Sequence, residues 1–180
     1  ELKQLGFIDR VPKLAVVQAH GAAPFYRYAQ RGGGSEFTAE VHPETLATAI
    51  KIGDPVSWPK AWQEVSSSGG TVEQATEQEI ADAKAVIGAC GIGCEPASAA
   101  TLAGLKKLVA SGIITAVDRV VAVLTGNVLK DPDYIYRYHT GQLKAPDCTS
   151  IQPTFGNSPV VVPNDADKIS ALLTRPSAHT

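Results

Sequence analysis

The chain has 180 residues, 44% hydrophobic and 19% charged, which suits one domain with a substantial core and excludes wholesale disorder. Sixteen Lys and Arg against 18 Asp and Glu leave a formal charge of -2 with no basic cluster, so nucleic acid is not an expected partner. The longest weakly polar stretch, residues 85–94, holds three glycines and is too short to span a bilayer, so no membrane partner is expected either.

No secretory signal opens the sequence. Cys90, Cys94 and Cys148 are odd in number and lack paired zinc spacing, and the four histidines are scattered. Reduced thiols and a cytoplasmic location are expected, without a metal. Methionine is absent throughout, position 1 included, so the chain is expected to be a piece of a longer protein or one whose start was removed.

In chain order, residues 14–18 form an apolar run after Pro12 and predict a strand. Gly21-Ala22-Ala23-Pro24 then predicts a small-residue turn and a helix through Tyr28. Gly32-Gly33-Gly34-Ser35 reads as a flexible surface loop. Residues 44–52 predict a short helix ending at Gly53. Trp58, Ala61, Trp62 and Val65 fall at amphipathic helical spacing, with Pro59 near the start and Ser66 to Gly70 as the stop.

Residues 71–75 predict a short strand. Thr76-Glu77-Gln78-Glu79 fits a capping box, opening a helix with Ile80, Ala83 and Ile87 as its buried stripe. Glu95-Pro96 opens the next helix, with Leu102, Leu105 and Val109 on one face and Gly112 as its stop. Residues 120–124 carry no charge and predict a strand buried on both faces, closed by Thr125-Gly126-Asn127. Asp131-Pro132 opens a short helix. Residues 159–162 predict a strand and 165–173 a last helix. Strands alternating with helices predict an α/β fold, a largely parallel sheet flanked by helices.

Three small-residue turns follow apolar segments, and their tips could lie together at the carboxyl ends of the strands, where ligands bind in such sheets. At Gly21-Ala22 nothing larger than a methyl projects, which suits either close approach of a flat ligand or a tight connection. Glu95 either contacts a ligand or complements the dipole of the helix it precedes. Ser98 reads as helix packing. Thr125 serves either as the end of its strand or as a neutral donor to an unprotonated heteroaromatic nitrogen, with Gly126 beside it.

Four blocks carry a resemblance that extends this reading. They are Gln18-Ala19-His20-Gly21-Ala22-Ala23-Pro24, the stretch from Thr45 to Gly53, Cys94-Glu95-Pro96-Ala97-Ser98-Ala99-Ala100, and Leu124-Thr125-Gly126-Asn127-Val128-Leu129-Lys130-Asp131. In this order they resemble the C-terminal half of threonine synthase, a pyridoxal phosphate (PLP) enzyme of the tryptophan-synthase-β type, fold type II. The resemblance implies that residues 1–140 are the C-terminal part of the enzyme's large domain and 141–180 a tail. It implies the conversion of O-phospho-L-homoserine and water to L-threonine and phosphate.

By the same resemblance Thr125 faces the pyridine nitrogen, with Gly126 next in the turn. Glu95 lies near the ring, and Gly21 and Ala22 pass beside it. Two features of the family are absent: the Ser-Phe-Lys type motif of the Schiff-base lysine and the glycine-rich phosphate cradle. Lys51, Lys106, Lys107 and Lys130 lie outside such a motif, so no catalytic residue is assigned. Val128 stands where many relatives have glycine. The resemblance thus implies a missing N-terminal half as partner, and an exposed half-core implies a homo-oligomer. A related PLP-dependent dehydratase, or a non-catalytic fragment that binds a ligand or partner, are the alternative readings.

Overall fold

The computed structural model describes residues 1–34 and 36–174, so Ser35 of the glycine loop and the end of the 141–180 tail lie outside the described residues. Strand β1 (Ala15–Ala19) pairs in parallel with β2 (Thr71–Ala75), Ala15 opposite Thr71 and Ala19 opposite Ala75. A parallel pair needs a long crossover, and helices α1 (Pro24–Gln30) and α2 (Trp58–Ser67) lie on it. Pro24 sits in the first turn of α1, where its missing amide costs nothing.

The stripe expected of α2 is used as such. Val65 is buried, and Trp58, Ala61 and Trp62 pack against Phe25, Tyr28 and Val72. Tyr28 meets Trp58 edge-on at 4.9 Å between ring centroids, and Phe37 stacks on Trp58 at 4.6 Å. This cluster also pins the glycine loop. A Cβ on Gly33 would fall on the Trp62 indole, and the Tyr28 hydroxyl donates to the Gly33 carbonyl. The loop is therefore packed at Gly33, not free.

The helix expected over 44–52 is reduced to one 3-10 turn, Thr48–Ile50. Its amides are engaged elsewhere. Glu44 N donates to Gly21 O at 2.9 Å, Leu46 N to the Glu77 carboxylate at 3.2 Å, and Ala47 N to Thr45 Oγ1 at 3.0 Å. Further along, Thr48 N donates to Leu46 O at 2.9 Å and Ile52 N to Ile50 O at 2.8 Å, so amides that an α-helix would direct four residues back bond two residues back.

Helix α3 (Glu77–Ala89) starts at the expected capping box: Thr76 Oγ1 accepts from Glu79 N at 3.2 Å, and Glu79 Oε2 accepts from Thr76 N at 2.7 Å. Ile80, Ala83 and Ile87 are buried as expected. Helix α4 (Pro96–Ala110) packs against α3 but not on the face its large residues suggest. Leu102 and Leu105 are half-buried and Val109 is 52% exposed, whereas Ala99, Ala100, Ala103, Gly104 and Leu108 are buried. The reason is distance. A Cβ on Gly104 would fall on the Val17 side chain of β1, so only small residues allow this approach.

Residues 120–124 depart furthest from expectation. They form no ladder among the described residues, and Val121 and Val123 are 82% and 63% exposed. A gap of about 140 Å³ separates Val120 and its neighbours from Ala15 and Val17 of β1. The sheet is two-stranded, parallel and flanked by helices, and this third apolar run lies outside it.

Beyond it, helix α5 (Pro132–His139) buries Tyr134 and Tyr138 against Ala81, Ala85, Leu143 and Ile151. Residues 159–162 are not a strand, and Val161 is 95% exposed. Helix α6 (Ala166–Leu173) is capped by Asp165, whose carboxylate accepts from Lys168 N at 3.0 Å. Among the described residues, no helix is long and apolar enough to cross a membrane.

Candidate cofactor site

Two of the three small-residue turns meet. The start of α4 and the turn at Thr125 grip one another through paired bonds: Glu95 N donates to Gly126 O at 3.0 Å, and Gly126 N donates to Ser98 Oγ at 3.0 Å. The approach leaves no room for a side chain at Gly126, where a Cβ would fall on the Glu95 carboxylate. Gly126 is therefore fixed by space, and Ser98, read from sequence as packing alone, accepts one of the two bonds.

Glu95 is 5% exposed, and a buried carboxylate must be paired. Its partner is Lys130, with Nζ 2.7 Å from Oε2. A 3-10 turn, Val128–Lys130, brings that lysine back, and Asn127 Oδ1 caps the turn by accepting from Leu129 N at 2.9 Å. The hydrogen bond and charge of Glu95 hold the Lys130 pKa above the usual lysine value. Sequence reasoning assigned Lys130 no role; its only signal was its place five residues after Thr125. Val128, for its part, closes over Gly93, where a Cβ would sit 2.7 Å from the Val128 Cβ.

This clasp presents Thr125. The residue is exposed, and its hydroxyl has no hydrogen-bond partner among the described residues. Glu95, Thr125 and Gly126 thus lie in one place. Gly21 and Ala22 do not join the clasp: they form the 3-10 turn His20–Ala22 at the end of β1, where a Cβ on Gly21 would fall on the Glu44 carbonyl. The two regions share one alanine-rich core, in which Ala19 packs with Cys94, Ala99, Ala100 and, at its edge, Leu124.

Behind the clasp, Lys84 of α3 is 7% exposed and donates to the Cys94 carbonyl at 2.6 Å. Burial lowers its pKa, opposed by Cys94 and Asp131, and burial likewise raises that of the Cys94 thiol.

A turn locked by a buried carboxylate and offering an unpartnered hydroxyl is what comparison with known sequences bears on. The family profile described as pyridoxal-phosphate dependent enzyme matches residues 2–126. The chain belongs to this family. Pyridoxal phosphate is the cofactor of its enzymes.

Within the family, the chain is 46% identical over 136 residues to the threonine synthase of Methanosarcina acetivorans, covering 75% of this chain and 33% of that protein. It is 45% identical over 138 residues to that of Methanocaldococcus jannaschii, covering 76% and 34%. For the threonine synthase of Synechocystis the identity is 42% over 160 residues, covering 87% and 39%. The chain spans about a third of the length of the curated relatives it matches. Among solved structures, a threonine deaminase from T.th. aligns at a TM-score of 0.47 and 18% identity, over 70% of this chain and 42% of that one.

Proposed function

We propose that the clasp between α4 and the Thr125 turn is one wall of a PLP site in a longer threonine synthase, which converts O-phospho-L-homoserine and water to L-threonine and phosphate. The observation that carries the reading is the unpartnered, exposed hydroxyl of Thr125, held on a turn that Glu95, Ser98 and Lys130 fix from beneath. The relatives at 42–46% identity bear the name threonine synthase and support the substrate assignment.

The residues present fit the cofactor. A hydroxyl can donate to a pyridine nitrogen that carries no proton, and its neutrality leaves that nitrogen uncharged. When bound, PLP supplies the electron sink for elimination and addition at an amino-acid carbon. Thr125 orients the ring by its hydrogen bond. Glu95 does not move a proton in this scheme; paired with Lys130, it keeps the turn from sagging. Gly126 lets the backbone come close, and the turn holding Gly21 and Ala22, at the end of β1, passes beside the ring by resemblance alone.

The lysine that attaches the cofactor and the groups that hold the substrate phosphate lie in the upstream part, so this chain alone is not catalytic. That part pairs with residues 120–124 and covers their exposed valines. Residues 1–140 belong to the large domain, 141–180 form its tail, and the complete enzyme is a homo-oligomer of the cytoplasm, working in threonine biosynthesis.

The test is Thr125→Val in the complete protein. Loss of one donor to the ring should lower kcat/KM for threonine formation by about tenfold and shift the visible absorption of the bound cofactor, with the unfolding midpoint retained. Unchanged kinetics with an unchanged spectrum would remove Thr125 from the site.

A further inference from the structure

A cleft of about 260 Å³ opens between α3 and α5, and none of Thr125, Glu95 or Gly126 lines it. Its walls bring together Lys84, Tyr134 and His139 with the apolar side chains of Ile92, Ile135 and Phe155, and no acidic residue lines it. Lys84 is buried, yet no carboxylate lies within ion-pair distance of it among the described residues; Asp131 acts on it only at longer range. Its one hydrogen bond goes to the Cys94 carbonyl, leaving further ammonium protons without an acceptor. A buried charge in that state is costly.

Tyr134 repeats the deficit independently. Its hydroxyl is buried and has no hydrogen-bond partner. His139 adds a third donor: its Nδ1 accepts from Asn157 N at 2.9 Å, which puts the ring proton on Nε2. Lys84 and Tyr134 each keep donors without an acceptor, and an acceptor bearing negative charge would answer both.

We propose that this cleft is a second ligand site, taking a small aliphatic carboxylate whose anionic end pairs with Lys84 and whose hydrocarbon end lies against Ile92, Ile135 and Phe155. The volume lies below the range of about 300–1,000 Å³ typical of drug-sized ligands, so the occupant is small, and it suffices for roughly five or six carbons because a cavity of about 150 Å³ already holds benzene. Its occupation reaches the cofactor wall through one bond, because Lys84 holds the carbonyl of Cys94, the residue before Glu95. The inference stands on the cleft's own residues and does not need the threonine synthase reading.

The experiment is calorimetric titration of the complete, PLP-loaded protein with isovalerate, and with isovaleramide as its neutral isostere. Isovalerate should bind in the millimolar range or tighter and the amide should not. Lys84→Met should weaken isovalerate by about tenfold or more, and Tyr134→Phe, which keeps the ring and its packing, by about fivefold. The cofactor spectrum of each variant reports that the fold is kept; should Lys84→Met fail to fold, Tyr134→Phe decides alone. Equal binding of acid and amide, affinity untouched by these substitutions, as binding at the cofactor site would give, or no heat at all would each overturn the proposal.

Discussion

Residues 15–19 and 120–124 are both short, uncharged and apolar enough to read as strands, yet their fates differ. The first forms a ladder with β2 and ends in a fully buried alanine, Ala19. The second stands beside β1 across a gap, with its valines in solvent. The difference lies in the neighbours. A strand has hydrogen-bonding edges and two faces, and its sequence states what those edges and faces need without supplying it. Residues 15–19 find β2 and α4 within this chain. Residues 120–124 find no such ladder among the described residues.

The comparison is broken most severely at Gly104. Gly104→Val would drive two methyls into Val17, part α4 from β1 and cost about 3 kcal/mol, read by urea unfolding of the chain. A loss under about 1 kcal/mol would mean that α4 is not what buries β1. Next comes Gly126→Ala, which pushes on a carboxylate that is buried and tied to Lys130. It should cost about 2 kcal/mol and weaken PLP binding by the complete protein, measured by cofactor titration.

Thr76→Ala removes the cap that starts α3 directly after β2, the ladder partner of β1. The expected cost is about 1 kcal/mol, seen as a lower thermal midpoint. Smallest is Val121→Ser. In this chain alone it should change stability by less than about 0.5 kcal/mol, because the side chain is already exposed. In the complete protein the same substitution should cost about 1–2 kcal/mol. Equal small effects in both settings would show that residues 120–124 gain no neighbours from the upstream part.

What was legible in the sequence was what a turn or two of chain decides. The capping box needs four consecutive residues, and the α2 stripe needs eight; both formed as read. The helix expected over 44–52 failed because Thr48 N and Ile52 N bond carbonyls two residues back, while Glu44 N and Leu46 N answer to Gly21 and Glu77, both distant in sequence. The face of α4 shared by Leu102, Leu105 and Val109 is not its most buried one, because large residues mark burial only where there is space for them. At Gly104 closeness, not hydrophobicity, sets the face.

The site divides in the same way. The blocks containing Glu95 and Thr125 were visible through their resemblance to a family. That Gly126 presses on Glu95, and that Lys130 neutralises it, depends on a contact between residues 31 to 35 apart in sequence. Nothing local encodes that contact. Gly21 and Ala22 were placed beside the same ligand by resemblance; in this chain the Gly21 carbonyl accepts from Glu44 N.

Helix α4 acts as a beam laid along α3 and carrying one load. Its closest seat on the sheet is Gly104 against Val17, and its load is the Glu95 clasp at the far end. Nine residues separate the two, about 13 Å at the rise of an α-helix. A tilt of only about 5° about the Gly104 seat would therefore swing Glu95, and the Thr125 turn riding on it, by roughly 1 Å, enough to misplace a reacting ligand. The alignment of the proposed cofactor wall thus depends in part on a glycine outside the clasp, and substitutions near Val17 would disturb it.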